Sequence, residues 1–247
     1  TSKFNSEIAK VQSQISGLDK NVKNTSTNMT KSFGSLAAKV ISVGAIIKAT
    51  ASSITRAMNY IEDENLFQVS MKKWADSTRD WSKQVQDSVG VSAAWLRKYS
   101  GVMTNMTASM GLAQDQAVQL GRGVALLSND IASFYNISAE SAFEKIQSAM
   151  AGMPRPLQEL GIMVRDSEVK QTAYANGIAR TGEELNTQQK ALATYRAILQ
   201  RASNAQGDLA RIINSPANQM RMLKTSIIDL GVAIGTMFQP LLSVVLP

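Results

Sequence analysis

Cysteine and histidine are both missing from the 247 residues. Their absence removes disulfides, thiolate nucleophiles, imidazole bases and nearly every zinc site, and no catalytic constellation or cofactor motif stands out among the remaining residues. Without cysteine the chain is indifferent to redox compartment. No basic, apolar and small-residue succession of the secretory kind opens the sequence. Nor does any stretch show the period-2 alternation of a half-buried strand, so the chain reads as all α. It begins at Thr1 without an initiator Met and stops at Pro247 inside an apolar run, which predicts a segment of a longer polypeptide.

What is present is unevenly placed. Of the formal charge of +7, residues 1–50 carry +5, from seven lysines against Glu7 and Asp19. Lys3, Lys10, Lys20, Lys23 and Lys31 form the body of this basic arm. Such an arm beside a nearly neutral remainder suits nucleic acid, anionic lipid or the wall of an acidic protein channel, or is simply a solvated helix face.

Apolar residues recur in steps of four and three at Phe4, Ile8, Val11, Ile15, Leu18 and Val22, passing over Thr25 to Met29. That spacing is an a/d seam, which predicts a coiled coil. The seam recurs at Phe67, Met71, Trp74, Thr78, Trp81 and Val85, then at Ala113, Ala117, Leu120, Val124, Leu127, Ile131 and Phe134. Leu192, Tyr195, Leu199 and Ala202 repeat it briefly. Met220, Leu223, Ile227, Leu230, Ile234, Met237 and Leu241 form the last instance. The expected architecture is therefore an elongated helical or coiled-coil assembly with a domain of heptad-patterned helices. Its parts are a basic arm with a short apolar helix over 1–60, a first helical set over 61–153, and a second over 154–247 that ends in an apolar segment.

Cap chemistry marks the boundaries. Ser92 after Gly90 and Ser138 after Asn136 read as N-caps, Thr181 with Glu184 as a capping box, and Ser215 as an N-cap before Pro216 at the first helical position. Gly152 to Pro156 reads as the clearest loop.

The stretch Leu126–Ser141 resembles the N-terminal homology region of bacteriophage tail tape measure proteins. Further landmarks follow in that family's order: Ala151-Gly152, Pro156-Leu157, Leu160-Gly161-Ile162, Gly177-Ile178, Gln189-Lys190, Gly207-Asp208, Ser215 to Gln219, Lys224, and Gly235 to Pro240. Met153 departs from the pattern, standing where many relatives carry an acid, and residues 1–60 match in character alone. The resemblance implies a non-enzymatic structural protein that lies in the tail tube lumen, sets tail length during assembly in the host cytoplasm and is released during DNA ejection. It implies as partners further copies of itself, tail tube subunits, tail tip or baseplate hub proteins and a tail assembly chaperone, with no stable nucleic acid. A helix advances about 1.5 Å per residue, so 247 helical residues would span only about 370 Å, and the measuring length is expected largely outside this segment.

Other readings stay open. Leu230–Leu246 carries no charge and approaches the length of a membrane span, with Gly231 and Gly235 in small-residue spacing and Pro240 as a kink. It could enter a host membrane after ejection or remain a buried helix, and a membrane-inserting effector or a basic nucleic-acid-binding coiled coil are the alternatives for the whole chain. Gly121-Arg122-Gly123 lacks the preceding strand and Gly-Lys-Ser/Thr ending of a phosphate loop and reads as a close helix approach. Glu62-Asp63-Glu64 reads as the acidic first turn of a helix. Trp74, Trp81 and Trp95 read as core or interface residues.

Overall fold

Helix boundaries in this chain are set by short polar side chains and by residues that turn left-handed. The computed structural model describes residues 43–212 and 214–237. Among them lie ten α-helices: α1 (Val43–Met71), α2 (Ala75–Val89), α3 (Ala93–Ser109), α4 (Gln114–Tyr135), α5 (Ala139–Met150), α6 (Arg155–Gln158), α7 (Asp166–Ala175), α8 (Thr187–Arg201), α9 (Asp208–Arg211) and α10 (Pro216–Met237). No strand occurs among the described residues. A short 3-10 turn, Lys72–Trp74, separates α1 from α2, and there Lys72 adopts φ 52°.

Gly90 ends α2 at φ 73°, its N–H returning to the Gln86 carbonyl. The Ser92 hydroxyl then accepts the Trp95 N–H and starts α3. Asn136 closes α4 in the left-handed region, where its short polar side chain is tolerated. Ser138 starts α5 by accepting the Ser141 N–H. At α10, Pro216 occupies the first helical position, where its missing N–H costs nothing. Thr181 with Glu184 is not a capping box, because the chain turns at Gly182 with φ 91°. The box belongs to Asn186 and Gln189, each accepting the other's backbone N–H.

The chain divides into a unit over Glu62–Ser226 and a second drawn from residues 1–61 and 227–247. In the first, α4 packs against α3, α5 and α9, α3 against α2, and α8 against α7 and α5. One core joins Leu96, Met103, Leu120, Ile131, Phe143, Ile146, Leu157, Ile162 and Ile198, and burying such a side chain contributes about 1.5–3 kcal/mol. Phe67, Met71, Ala75 and Val118 form a smaller satellite.

This packing overturns the elongated coiled-coil expectation. Glu62–Ser226 is a tightly packed helical bundle, and within it the stripes from Phe67 and from Ala117 face neighbouring helices of the same chain. Phe67, Met71 and Thr78 are buried in one stripe, and Ala117, Leu120, Val124, Leu127 and Ile131 in another. The reason is width. On α4, Val118, Gly121, Ala125, Ser128 and Ala132 are buried as well, so the helix presents a broad face rather than a two-position seam. On α8 the stripe runs along the edge of the covered face: Leu192, Tyr195 and Leu199 are half-buried, whereas Ala191, Thr194 and Ile198 beside them are buried, and Ala202 past the helix end is buried too.

Small residues allow the closest approach. A Cβ on Gly121 would lie 2.4 Å from Thr104 Oγ1 and 2.6 Å from the Ser100 carbonyl oxygen, so α3 and α4 meet nearly backbone to backbone. The Gly-Arg-Gly motif thus serves helix contact, with no strand before it.

Candidate functional site

Among the described residues no group of acidic, histidine or cysteine side chains could hold a metal ion. Glu62-Asp63-Glu64 lies in the interior of α1, not in a first turn. Asp63 pairs with Lys98 at 3.2 Å. Glu64 accepts from Arg79 at 2.7 Å and from Arg97 at 3.0 Å, and its hydrogen bond is the main cause holding the Arg79 guanidinium above its ordinary pKa.

Two acids are buried among the described residues, Asp130 on α4 and Asp208 on α9. The Asp130 carboxylate accepts the Gly207 N–H at 2.9 Å and the Leu209 N–H at 3.3 Å, so it caps the turn into α9 from across the bundle. Gly207 stands at φ 71°, which presents both N–H groups to one side. Burial raises the Asp130 pKa, and the two backbone donors only partly offset it. Alongside, Ser133 Oγ donates to Asp208 at 2.5 Å, and Arg211 pairs with Asp208 at 3.1 Å. These contacts join α4 to the turn before α9, so the cluster acts as a staple.

An aromatic group joins α3 to α5. Trp95 stacks on Tyr99 with centroids 4.3 Å apart, and Phe143 meets Tyr99 edge-on at 4.5 Å. The Tyr99 hydroxyl donates to Glu140 at 2.6 Å. Burial and that carboxylate push the phenol well above its usual pKa.

Arg122 on α4 is placed differently. Its Nε and Nη2 donate to Thr78 Oγ1 at 3.1 and 2.6 Å, and Nη2 also reaches Ser77 Oγ at 2.7 Å. The guanidinium lies 5.8 Å from the Trp81 ring centroid. Burial lowers its pKa, and no carboxylate neutralises it among the described residues. One residue on, Gly123 leaves room for the Tyr195 hydroxyl, which would stand 2.2 Å from a Cβ there.

The sequence-derived candidates are dispersed. Phe4, Ile8, Val11, Ile15, Leu18, Val22 and Met29, together with the basic arm from Lys3 to Lys31, lie outside the described residues. So do Pro240, Leu241 and Leu246. On α10, Met220 is 65% exposed, Ile227 57% and Leu230 44%, while Leu223 is half-buried and Gly231 is buried, with Arg56 Nη1 2.9 Å from where its Cβ would stand. Ile234, Gly235 and Met237 belong to the same helix. No helix among the described residues is long and apolar enough to cross a membrane. Trp74, Trp81 and Trp95 are all half-buried, the first against the satellite cluster and the others against the main core.

Asp130, Asp208, Tyr99 and Arg122 went unread as partners because their contacts join distant parts of the chain. One signal was available for Asp130, since an acid inside the apolar stripe of Leu127 and Ile131 requires a buried partner. No family model, curated protein or solved structure matches the chain.

Proposed function

We propose that this chain is the N-terminal homology region of a tail tape measure protein, a structural component of the tube lumen that sets tail length during assembly and leaves during DNA ejection. The observation that carries the reading joins two of its landmarks. Asp130, within Leu126–Ser141, accepts from the Gly207 N–H of Gly207-Asp208, and Ser133 donates to Asp208. Residues that separately resemble the family thus cooperate in one packed unit, as a shared fold requires.

In this reading Glu62–Ser226 is an anchoring bundle and the measuring length lies elsewhere in the polypeptide. A bundle converts residues into distance poorly, whereas a single helix does so at about 1.5 Å per residue. The basic arm faces an acidic tube wall or assembly partner, and the exposed Met220, Ile227 and Leu230 of α10 meet further copies or tube subunits. In-frame deletions downstream of this region, in the full polypeptide, should shorten tails in proportion to the residues removed, as measured by electron microscopy. Tails of unchanged length after a large deletion that still assembles would refute the reading.

A further inference from the structure

Among the described residues, left-handed backbone is held by seven glycines and by Asn136, the residue types that tolerate it. The one other residue there is Lys72, at φ 52° in the corner between α1 and α2. No glycine or proline occurs from Ala45 to Val89, so nothing local in the sequence asks for a break. The apolar stripe agrees: Phe67, Met71, Trp74, Thr78, Trp81 and Val85 keep their steps of four and three straight through the corner, as on one uninterrupted helix. The bend also leaves the Trp74 indole N–H buried without a hydrogen-bond partner. Two costs thus fall within the turn Lys72–Trp74, and continuing the helix would spare the first of them outright.

What holds the corner closed comes from elsewhere in the bundle. Phe67 and Met71 are buried together with Val118 of α4. The Thr104 hydroxyl of α3 lies 3.8 Å from Met71 Sδ. Gln114 Nε2 donates to the Ser70 carbonyl at 2.7 Å, covering an acceptor that the last turn of α1 leaves open. Glu64 draws in Arg79 from α2 and Arg97 from α3. On an uninterrupted helix Glu64 and Arg79 would stand about 22 Å apart, so their ion pair exists only in the bent form.

We propose that the corner at Lys72–Trp74 is a conformational switch: when the bundle releases Met71 and the Glu64 carboxylate, Val43–Val89 becomes one continuous helix, with α2 staying on α3 and α1 leaving the bundle. The strained lysine and the orphaned indole favour the straight form. The contacts of Glu64, Phe67, Ser70 and Met71 with α2, α3 and α4 favour the bent one. This does not depend on the tape-measure reading.

The test is a distance measurement by electron paramagnetic resonance in the full chain, with spin labels on Glu62→Cys and Asp87→Cys. Both positions are exposed, and the chain has no cysteine of its own. On one helix these positions stand about 38 Å apart, far beyond the separation that the Glu64–Arg79 contact allows. The otherwise unaltered chain should show the short distance. Met71→Ala with Arg79→Ala withdraws both holds and should add a population near about 38 Å while helical circular dichroism is retained. Adding Lys72→Gly, which is at ease at φ 52° and weakens a helix interior, should reduce that population at least about fivefold. A released variant that keeps its helices and shows no long distance overturns the switch, and so does a long population indifferent to Lys72→Gly. A second comparison needs no released form. In the unlabelled chain Lys72→Gly should melt at a higher temperature than Lys73→Gly, the exposed neighbour whose φ is negative. An equal or reversed order removes the strain at Lys72 and overturns the proposal even where the released variant fails to fold.

Discussion

The Asp130 carboxylate accepts the Gly207 N–H at 2.9 Å across 77 residues of sequence. With Leu209 as its second donor, this one side chain ties the middle of the bundle to the turn that precedes α9. Asp130→Ala strands two inward-facing N–H groups and should cost about 2–4 kcal/mol, whereas Asp130→Asn keeps one acceptor and should cost about 1 kcal/mol. Equilibrium denaturation measures both.

The same residue carries a pH signature. Burial raises its pKa in the folded state, so the folded chain binds a proton more tightly there than the unfolded chain does. The stability gained on protonation is fully present below the unfolded value, about 3.9, and is lost as pH rises through the folded value. Wild type should therefore gain stability relative to D130N as pH is lowered from neutral toward about pH 4. A pH-independent difference would contradict the assignment.

Gly121 and Gly123 should differ as sites for alanine although they are two residues apart. At Gly121 the new methyl meets a backbone carbonyl and a buried hydroxyl, neither free to move, and the cost should be about 1–3 kcal/mol. At Gly123 it meets the far end of the Tyr195 side chain, which can swing aside, so the loss should stay below about 1 kcal/mol. Denaturation midpoints of Gly121→Ala and Gly123→Ala check the order.

Glu64 draws Arg79 and Arg97 to one carboxylate. Glu64→Gln removes the carboxylate charge that Arg79 and Arg97 share, leaving Arg79 its bonds to Asp76 and Gln68, and should destabilise by about 1–2 kcal/mol. Added salt should narrow the gap, since it screens the wild-type attraction. Thermal melts at low and high ionic strength decide this.

Tyr99→Phe removes the hydrogen bond to Glu140 and keeps the ring stack, so about 0.5–1.5 kcal/mol should be lost with the near-ultraviolet circular dichroism preserved. Because the folded phenol has a raised pKa, its ionisation opposes folding, and stability falls as pH rises above about 10, the unfolded value. In the native protein the alkaline absorbance step near that pH should be the same with and without Tyr99.

Local chemistry was legible in the sequence and long-range partners were not. Ser92, Ser138 and Pro216 mark helix starts because a cap depends on residues within one turn. Thr181 with Glu184 misled, since the same four-residue spacing occurs in a turn once Gly182 takes a positive φ. The stripe through Ala117, Leu120, Val124 and Ile131 announced a buried face correctly, yet periodicity records that a face is covered, not whether the cover is another chain or this one. The clue lay between the stripe positions, where Gly121, Ala125 and Ala132 broaden the face beyond a coiled-coil seam. Arg122 sits in the Gly-Arg-Gly motif, but its hydroxyl clasp with Ser77 and Thr78 spans more than 40 residues that no local pattern connects.

The Asp130–Gly207 contact also has a mechanical meaning. Tension applied at the two ends of the chain passes through this clasp and its neighbours, and the residues enclosed between them bear little load until it opens. The enclosed 77 residues would reach about 260 Å if extended at about 3.4 Å each, but they also bury Phe143, Ile146, Leu157, Ile162 and Ile198 in the shared core, so clasp and core must yield together and the segment would lengthen in one step rather than gradually.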